Sequence, residues 1–354
     1  MKTDKAEIIQ LLRQLVATPS YSKEEDQTAA LLGAFLEQKG IPVNRDMNNV
    51  WVINRYADPL KPTILLNSHH DTVKPNAKYT RDPFLPSLED GKLFGLGSND
   101  AGGALVSLLA CFLHFYDMPA LNFNVVFAAT AEEEISGHDG IERLLPVLGP
   151  VSFGIVGEPT KMDVAVSEKG LMVLDCETHG KAGHAAREEG INAIYKALPD
   201  IEWFRSFRFA NVSDTLGPVK MTVSMIEAGS QHNMIPDTCR FTVDVRTTDA
   251  YSNQEILDII RTEVKCRVEP RSVRLNPSSV PSDHAMVKAA VATGAALYGS
   301  PTTSDQALMP FYTFKMGPGD SARSHTADEF IYVKEIEDGI DRYIQMLTLY
   351  NNLK

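Results

Sequence analysis

Three short runs of apolar and β-branched residues, at 63–66, 123–128 and 153–156, each break off just before carboxylate or imidazole side chains. His69 and Asp71 follow the first, Glu132, Glu133 and Glu134 the second, and Glu158 the third. A run apolar on successive positions suits a strand buried on both faces, and such strands occur in parallel sheets covered by helices. A fourth apolar run lies at 50–53, and helical character recurs between the runs at 101–115 and 141–148. This alternation predicts an α/β fold, with a mostly parallel sheet flanked by helices. Ligands of open α/β sheets bind beyond the carboxyl ends of the strands, so the three polar strand ends point to one expected site.

From 171 onward the rhythm changes. Strands at 171–178, 219–226, 239–246 and 267–275 enclose helices at 191–209 and 253–265, in the βαββαβ order of the ferredoxin-like split unit. Polar, turn-rich residues at 168–170 and 276–279 bound it, which predicts an inserted domain at 168–275 within a first domain made of 1–167 and 276–354. A chain of 354 residues is long enough for two domains. Helices at 283–297 and 333–350 complete the expectation. Near the start, Ser22 and Glu25 stand at capping-box spacing before Leu31, Leu32, Phe35 and Leu36, and Gly40 supplies a stop.

Several function classes are disfavoured. A net charge of −12 opposes nucleic-acid binding, which depends on clustered Lys and Arg. No stretch approaches the roughly 20 apolar residues of a membrane span. The opening residues lead straight into an amphipathic pattern, Ile8, Leu11, Leu12 and Leu15, without an apolar signal core, so a cytoplasmic location is expected. Cys111, Cys176, Cys239 and Cys266 lack Cys-x-x-Cys spacing, which indicates neither a disulfide framework nor a thiolate zinc site. The glycine pairs at 95 and 97 and at 317 and 319 lack full dinucleotide-loop spacing, and no Gly-x-Ser-x-Gly elbow is present.

Five segments carry the chemistry: 68–71, 97–103, 129–134, 157–160 and 324–329. Singly, each has an ordinary reading. Asp100 could cap the helix that follows, Glu158 could sit in a turn fixed by Pro159, and the three glutamates could form a solvated acidic turn. Together they supply hard oxygen and borderline nitrogen donors, a set that can neutralise and orient two divalent cations for hydrolysis.

In this order the segments resemble the cocatalytic zinc peptidase/deacylase family of acetylornithine deacetylase, succinyl-diaminopimelate desuccinylase, glutamate carboxypeptidase and aminoacylase, and most nearly its acetylornithine deacetylase branch. The resemblance spans essentially the whole chain. It implies that His69 and Glu158 bind one metal, that Glu134 and His325 bind the other, and that Asp100 bridges them. Asp71 would orient His69, and Glu133 would act as general base. The metals would be two zinc ions, with cobalt also suited to such ligands. Glu132 stands where the family usually has Asp. The resemblance also implies that the insert is a lid and dimerisation domain. His184, within 180–186, would reach the neighbouring subunit's site, and Asn233 and Arg246 would bind substrate. Arg323, two residues before His325, is expected to meet an acyl-chain carboxylate if the acyl group is succinyl.

The function expected is removal of an acetyl or succinyl group from a small amino acid such as ornithine or citrulline, in arginine synthesis, by a homodimer acting on a small-molecule substrate. A di- or tripeptidase, or a succinyl-diaminopimelate desuccinylase-like enzyme, would use the same scaffold. A catalytically silent binding protein and a nucleotide-dependent oxidoreductase are the competing readings from other classes.

Overall fold

The computed structural model describes residues 4–187 and 189–352; the outermost positions of the expected first domain, 1–3 and 353–354, lie outside the described residues. The chain opens with helices α1 (Lys5–Val16) and α2 (Asp26–Gln38) and strands β1 (Asn44–Asp46), β2 (Asn49–Ile53), β3 (Thr63–His69), β4 (Ser87–Glu89) and β5 (Lys92–Phe94). There follow α3 (Gly103–Phe115), β6 (Asn124–Thr130), α4 (Ile141–Leu148), β7 (Phe153–Val156) and β8 (Val164–Glu168). The middle of the chain contributes β9 (Gly170–His179), β10 (Gly183–His184), α5 (Ala193–Ser206), β11 (Lys220–Ala228), β12 (Met234–Ile235), β13 (Thr238–Thr247), α6 (Asn253–Glu263) and β14 (Arg267–Pro270). The last part holds β15 (Ser278–Ser279), α7 (Ala285–Val291), β16 (Leu297–Ser300), β17 (Thr313–Lys315), β18 (Phe330–Tyr332) and α8 (Val333–Asn352).

Contacts divide the chain into two compact units, one of Met1–Val166, Ser279–Tyr298 and Ser304–Lys354, the other of Ser167–Ser278 and Gly299–Thr303. The main sheet of the first unit runs β1-β2-β6-β3-β7-β17-β8 before β15 and β16 extend one edge. Its centre is parallel: β3 pairs β6 and β7 in parallel, and β7 pairs β17 likewise. The flanks are antiparallel, through β2 on β6 and β8 on β17.

Alternation within the central strands explains why they read as unbroken apolar runs. Ile64 and Leu66 of β3, with Val125, Phe127 and Ala129 of β6, join a core packed by α1, α2, α3 and α8. Leu65, Val126, Ala128 and Val156 point the other way, into a smaller core closed by Ile141 and Leu144 of α4. Both faces are therefore covered, as period-two side chains in a helix-flanked sheet require. Helix α3 is buried along almost its whole length, which accounts for its all-round apolar sequence.

The second unit has the sheet order β11-β13-β9-β14 with all pairings antiparallel, the split βαββαβ arrangement. Met172, Leu174, Cys176, Phe241, Val243 and Val245 pack with α5 and α6 residues on one face. Several expected elements are shorter in the structure, among them the helix expected at 191–209, which spans Ala193–Ser206, and two have a visible cause. The helix predicted at 283–297 ends at Val291, because Gly294 turns the chain with φ +92°, and a strand begins at Leu297. The strand predicted at 267–275 stops at Pro270, whose ring cannot donate to a ladder.

The predicted capping box is also corrected. Glu25 is itself the N-cap of α2 but gives no side-chain cap, and the Ser22 hydroxyl donates instead to Asp71 (2.7 Å). The stop at Gly40 holds: φ is +71°, and the Ile41 amide donates to the Leu36 carbonyl in a Schellman closure. No helix among the described residues is long and apolar enough to cross a membrane.

Candidate active site

At the carboxyl ends of β3, β6 and β7 the first unit gathers His69, Asp71, Asp100, Glu133, Glu134, Glu158 and His325. His69 ends β3 and is buried. Its Nδ1 lies 3.0 Å from the Asp71 carbonyl oxygen and 3.4 Å from Asp71 Oδ1. A carbonyl can only accept, so Nδ1 carries the hydrogen. The buried Nε2 makes no hydrogen bond and faces Asp100 Oδ1 at 3.5 Å, Glu133 Oε2 at 4.0 Å and Glu158 Oε1 at 4.0 Å. Across the site, His325 Nε2 is 3.1 Å from Glu134 Oε2 and 3.7 Å from Asp100 Oδ2. Each oxygen of Asp100 thus faces a different imidazole. Ligand atoms of His69, Asp100 and Glu134 all fall within 4.8 Å of one another.

Local backbone geometry sets these side chains. Asp100 does not cap α3; it sits in a π-type turn, Ser98–Gly102, with non-helical φ −119° and ψ 98°, followed by a cis peptide to Ala101. Its amide and that of Asn99 both donate to Glu329 Oε1 (2.9 and 2.8 Å). Asn99 in turn clasps the loop bearing His325: Asn99 Nδ2 donates to the Asp320 carbonyl, and Asn99 Oδ1 accepts the Asp320 amide (3.0 Å). Gly319 is required beside it, since φ is +96° and a Cβ would stand 2.6 Å from Asn99 Oδ1. Glu132 and His325 both adopt positive φ, 57° and 58°, the kind of sparsely populated backbone often found at functional sites. The Glu132 side chain turns toward Gly137 and the Asp139 amide (3.4 Å).

The electrostatics describe a pocket with more negative charge than it can neutralise. Burial pushes Glu158 up to about 8, helped by Asp100. Burial likewise holds Glu133 well above its ordinary value, with Glu158, Asp305 and Glu134 adding to the effect against His69. Burial would lower His69, but Glu133, Asp100 and Asp71 outweigh it and raise the imidazole well above its usual range. His325 is lifted to about 9, chiefly by its contact with Glu134. The donor set fits a pair of divalent cations: a buried imidazole nitrogen with no partner, converging carboxylates, and one carboxylate presenting an oxygen to each side.

Other residues belong here that the sequence did not single out. Glu329 is buried, and burial with Asp100 nearby pushes it up to about 8. Asp305 is buried, accepts from Asn67 Nδ2 (3.0 Å) and Thr130 Oγ1 (2.8 Å), and is raised to about 6 by burial. Glu329, only four residues after His325, carried a weak signal; Asp305 carried none. Arg323, expected at an acyl-chain carboxylate, is instead bound by both terminal nitrogens to Glu335 (2.7 and 2.8 Å) and lies over the Phe330 and Tyr332 rings. Both terminal nitrogens are thus held by Glu335 and the planar face is stacked, so the end-on fork is not turned toward a substrate carboxylate.

His184, Asn233 and Arg246 lie in the second unit. The β10–β12 ladder sets His184 opposite Met234, and the Ala185 amide donates to the Asn233 carbonyl (3.0 Å), so the first two share one exposed loop cluster. Arg246, on β13, is engaged through two nitrogens by Asp244 (2.9 and 3.0 Å).

Residues 65–349 match Peptidase family M20/M25/M40, and the chain belongs to that family of hydrolases. The acetylornithine deacetylase of Proteus mirabilis (strain HI4320) is 28% identical over 369 residues, covering 93% of each chain. A tripeptidase from Staphylococcus aureus subsp. aureus Mu50 superposes with a TM-score of 0.80 at 19% identity, over 99% of this chain and 100% of that one. The YXEP protein of Bacillus subtilis, described as a dinuclear metal binding peptidase of the M20 family, gives 0.72 at 19% identity over 98% and 97%. These two likenesses establish the α/β fold.

Proposed function

We propose that the chain is a metal-dependent amidohydrolase that removes an acetyl or succinyl group from a small amino acid such as ornithine or citrulline. The observation that carries the reading is Asp100, whose two oxygens address His69 and His325 separately. The full-length likeness to an acetylornithine deacetylase supports the substrate class.

In this reading His69 and Glu158 would hold one cation and Glu134 and His325 the other, with Asp100 contributing to both. The ions, zinc or cobalt, would supply positive charge that polarises the scissile carbonyl and acidifies water. Asp71 takes the Nδ1 hydrogen of His69 and so keeps the Nε2 lone pair aimed into the site. Glu133 accepts the proton of the attacking water and delivers it to the departing amine nitrogen. His184 is assigned to the site of a partner subunit in a cytoplasmic homodimer, and Asn233 and Arg246 to substrate binding. Arg246 would have to exchange Asp244 for the substrate carboxylate.

The test is a hydrolysis screen of acetyl- and succinyl-amino acids beside a di- and tripeptide panel, with zinc- or cobalt-loaded protein. Faster turnover of acyl-amino acids is expected. Preference for peptides would assign a peptidase on the same metals and base, and inertness toward both would remove the reading.

A further inference from the structure

The amides of Glu132, Glu133 and Glu134, three in succession, are each bound by a carboxylate from elsewhere in the sequence. Glu25 Oε1 accepts from the Glu132 amide (3.2 Å). Asp71 Oδ1 accepts from Glu133 and Asp71 Oδ2 from Glu134 (both 3.1 Å). The Ser22 hydroxyl closes the set by donating to Asp71 Oδ2 (2.7 Å). Ser22 and Glu25 thus grip the same turn from the loop between α1 and α2.

Glu25 is fully buried and is itself held from three directions. Its Oε1 also takes the Lys23 amide (2.7 Å), and Oε2 takes Asn48 Nδ2 (2.8 Å). The Asn48 carbonyl accepts from His70 Nε2 (2.9 Å), and the single hydrogen of the Thr28 hydroxyl is shared between His70 Nδ1 (2.9 Å) and the Glu25 carbonyl (3.0 Å). A carboxylate fixed this completely offers the Glu132 amide an acceptor that does not move. That matters because Glu132 has φ +57°, a backbone state an ordinary residue keeps only when its surroundings impose it.

We infer that Ser22 and Glu25 are positioning residues: with Asp71 they clamp the backbone of residues 132–134 and thereby fix the base Glu133. The inference rests on the proposed role of Glu133, so two readouts are needed. One is amide hydrogen exchange of the segment 131–135 in the full-length, metal-free protein. The other is steady-state kinetics with the best acyl-amino acid, alongside measured metal content.

Glu25→Ala and Ser22→Ala are expected to speed exchange of the segment and to lower kcat by about 10- to 100-fold, the cost of misplacing a reacting group by an ångström or less. KM and metal content should stay near wild type. Glu25→Gln keeps an oxygen for the Glu132 amide but loses the acceptor for Asn48 Nδ2, and should restore exchange and kcat part of the way from the Ala variant toward wild type. Wild-type exchange and kcat in a folded Glu25→Ala protein would overturn the inference, as would a kcat loss accounted for by lost metal, or a Gln variant as poor as Ala. Should Glu25→Ala fail to fold, Ser22→Ala removes only one half-buried hydroxyl and carries the same comparison. If wild-type protein hydrolyses no amide, the functional reading fails, while exchange still decides whether the clamp exists.

Discussion

His69 Nε2 is a buried nitrogen with no hydrogen bond, aimed at three carboxylates, and it makes the strongest single-atom argument for a bound cation. Glu133, beside it, is the group assigned to proton transfer. Glu133→Gln should therefore lower kcat by at least about 100-fold, the order expected of a general base, while bound metal measured by atomic absorption stays near wild type. Loss of metal together with turnover would make Glu133 a ligand instead. His70, one residue on, is a different kind of histidine. Burial pushes it down to about 4 from an ordinary 6.5, so the unfolded chain takes up its proton first. The folded state keeps its full stability above about 6.5 and loses it as pH falls toward 4, by up to roughly 3 kcal/mol at 1.36 per unit. Melting curves of wild type and His70→Asn across that window should converge as the pH drops. At this scale the sequence named the convergent residues but mistook Ser22 and Glu25 for a helix cap, since capping-box spacing is the same whether the side chains turn to the helix or away from it.

Among elements, the turn bearing Asp100 is fixed from β18, whose neighbour Glu329 binds two of its amides. Supporting groups of this kind typically change metal affinity by about 10- to 100-fold when removed. Glu329→Ala should weaken cation binding by that order in calorimetric titration, with far-ultraviolet circular dichroism unchanged. Wild-type affinity would show the turn to be self-supporting. Arg323 belongs to the same neighbourhood, clamped to Glu335 at the start of α8. Arg323→Ala is expected to scale turnover of acetylated and succinylated substrates by one common factor, because both terminal nitrogens of the guanidinium are held in a structural pair with Glu335; selective loss on the succinyl compound would reverse that assignment. The strands were legible because burial on both faces leaves an unbroken apolar run. Helix and strand ends were less so: Gly294 and Pro270 cut elements short where apolar residues continued.

For the whole molecule, the test is whether one chain completes a site alone. If His184 serves a partner's site, mixing inactive His184→Ala and Glu133→Gln proteins should regain activity, since a hybrid dimer holds one site with both groups intact. No rescue, with subunit exchange demonstrated by mass spectrometry, would make each chain self-sufficient.

Local chemistry written along the chain was enough to indicate the α/β layering, the βαββαβ unit and the residue types for a two-cation site, because periodicity and side-chain donors are properties of short segments. Which oxygen of Asp100 meets which imidazole, the diversion of Ser22 and Glu25 to the turn at 132–134, the engagement of Arg323 by Glu335 and the burial of Asp305 required the folded chain. Those outcomes depend on competition among partners far apart in sequence, and only packing decides which partner is near enough to win.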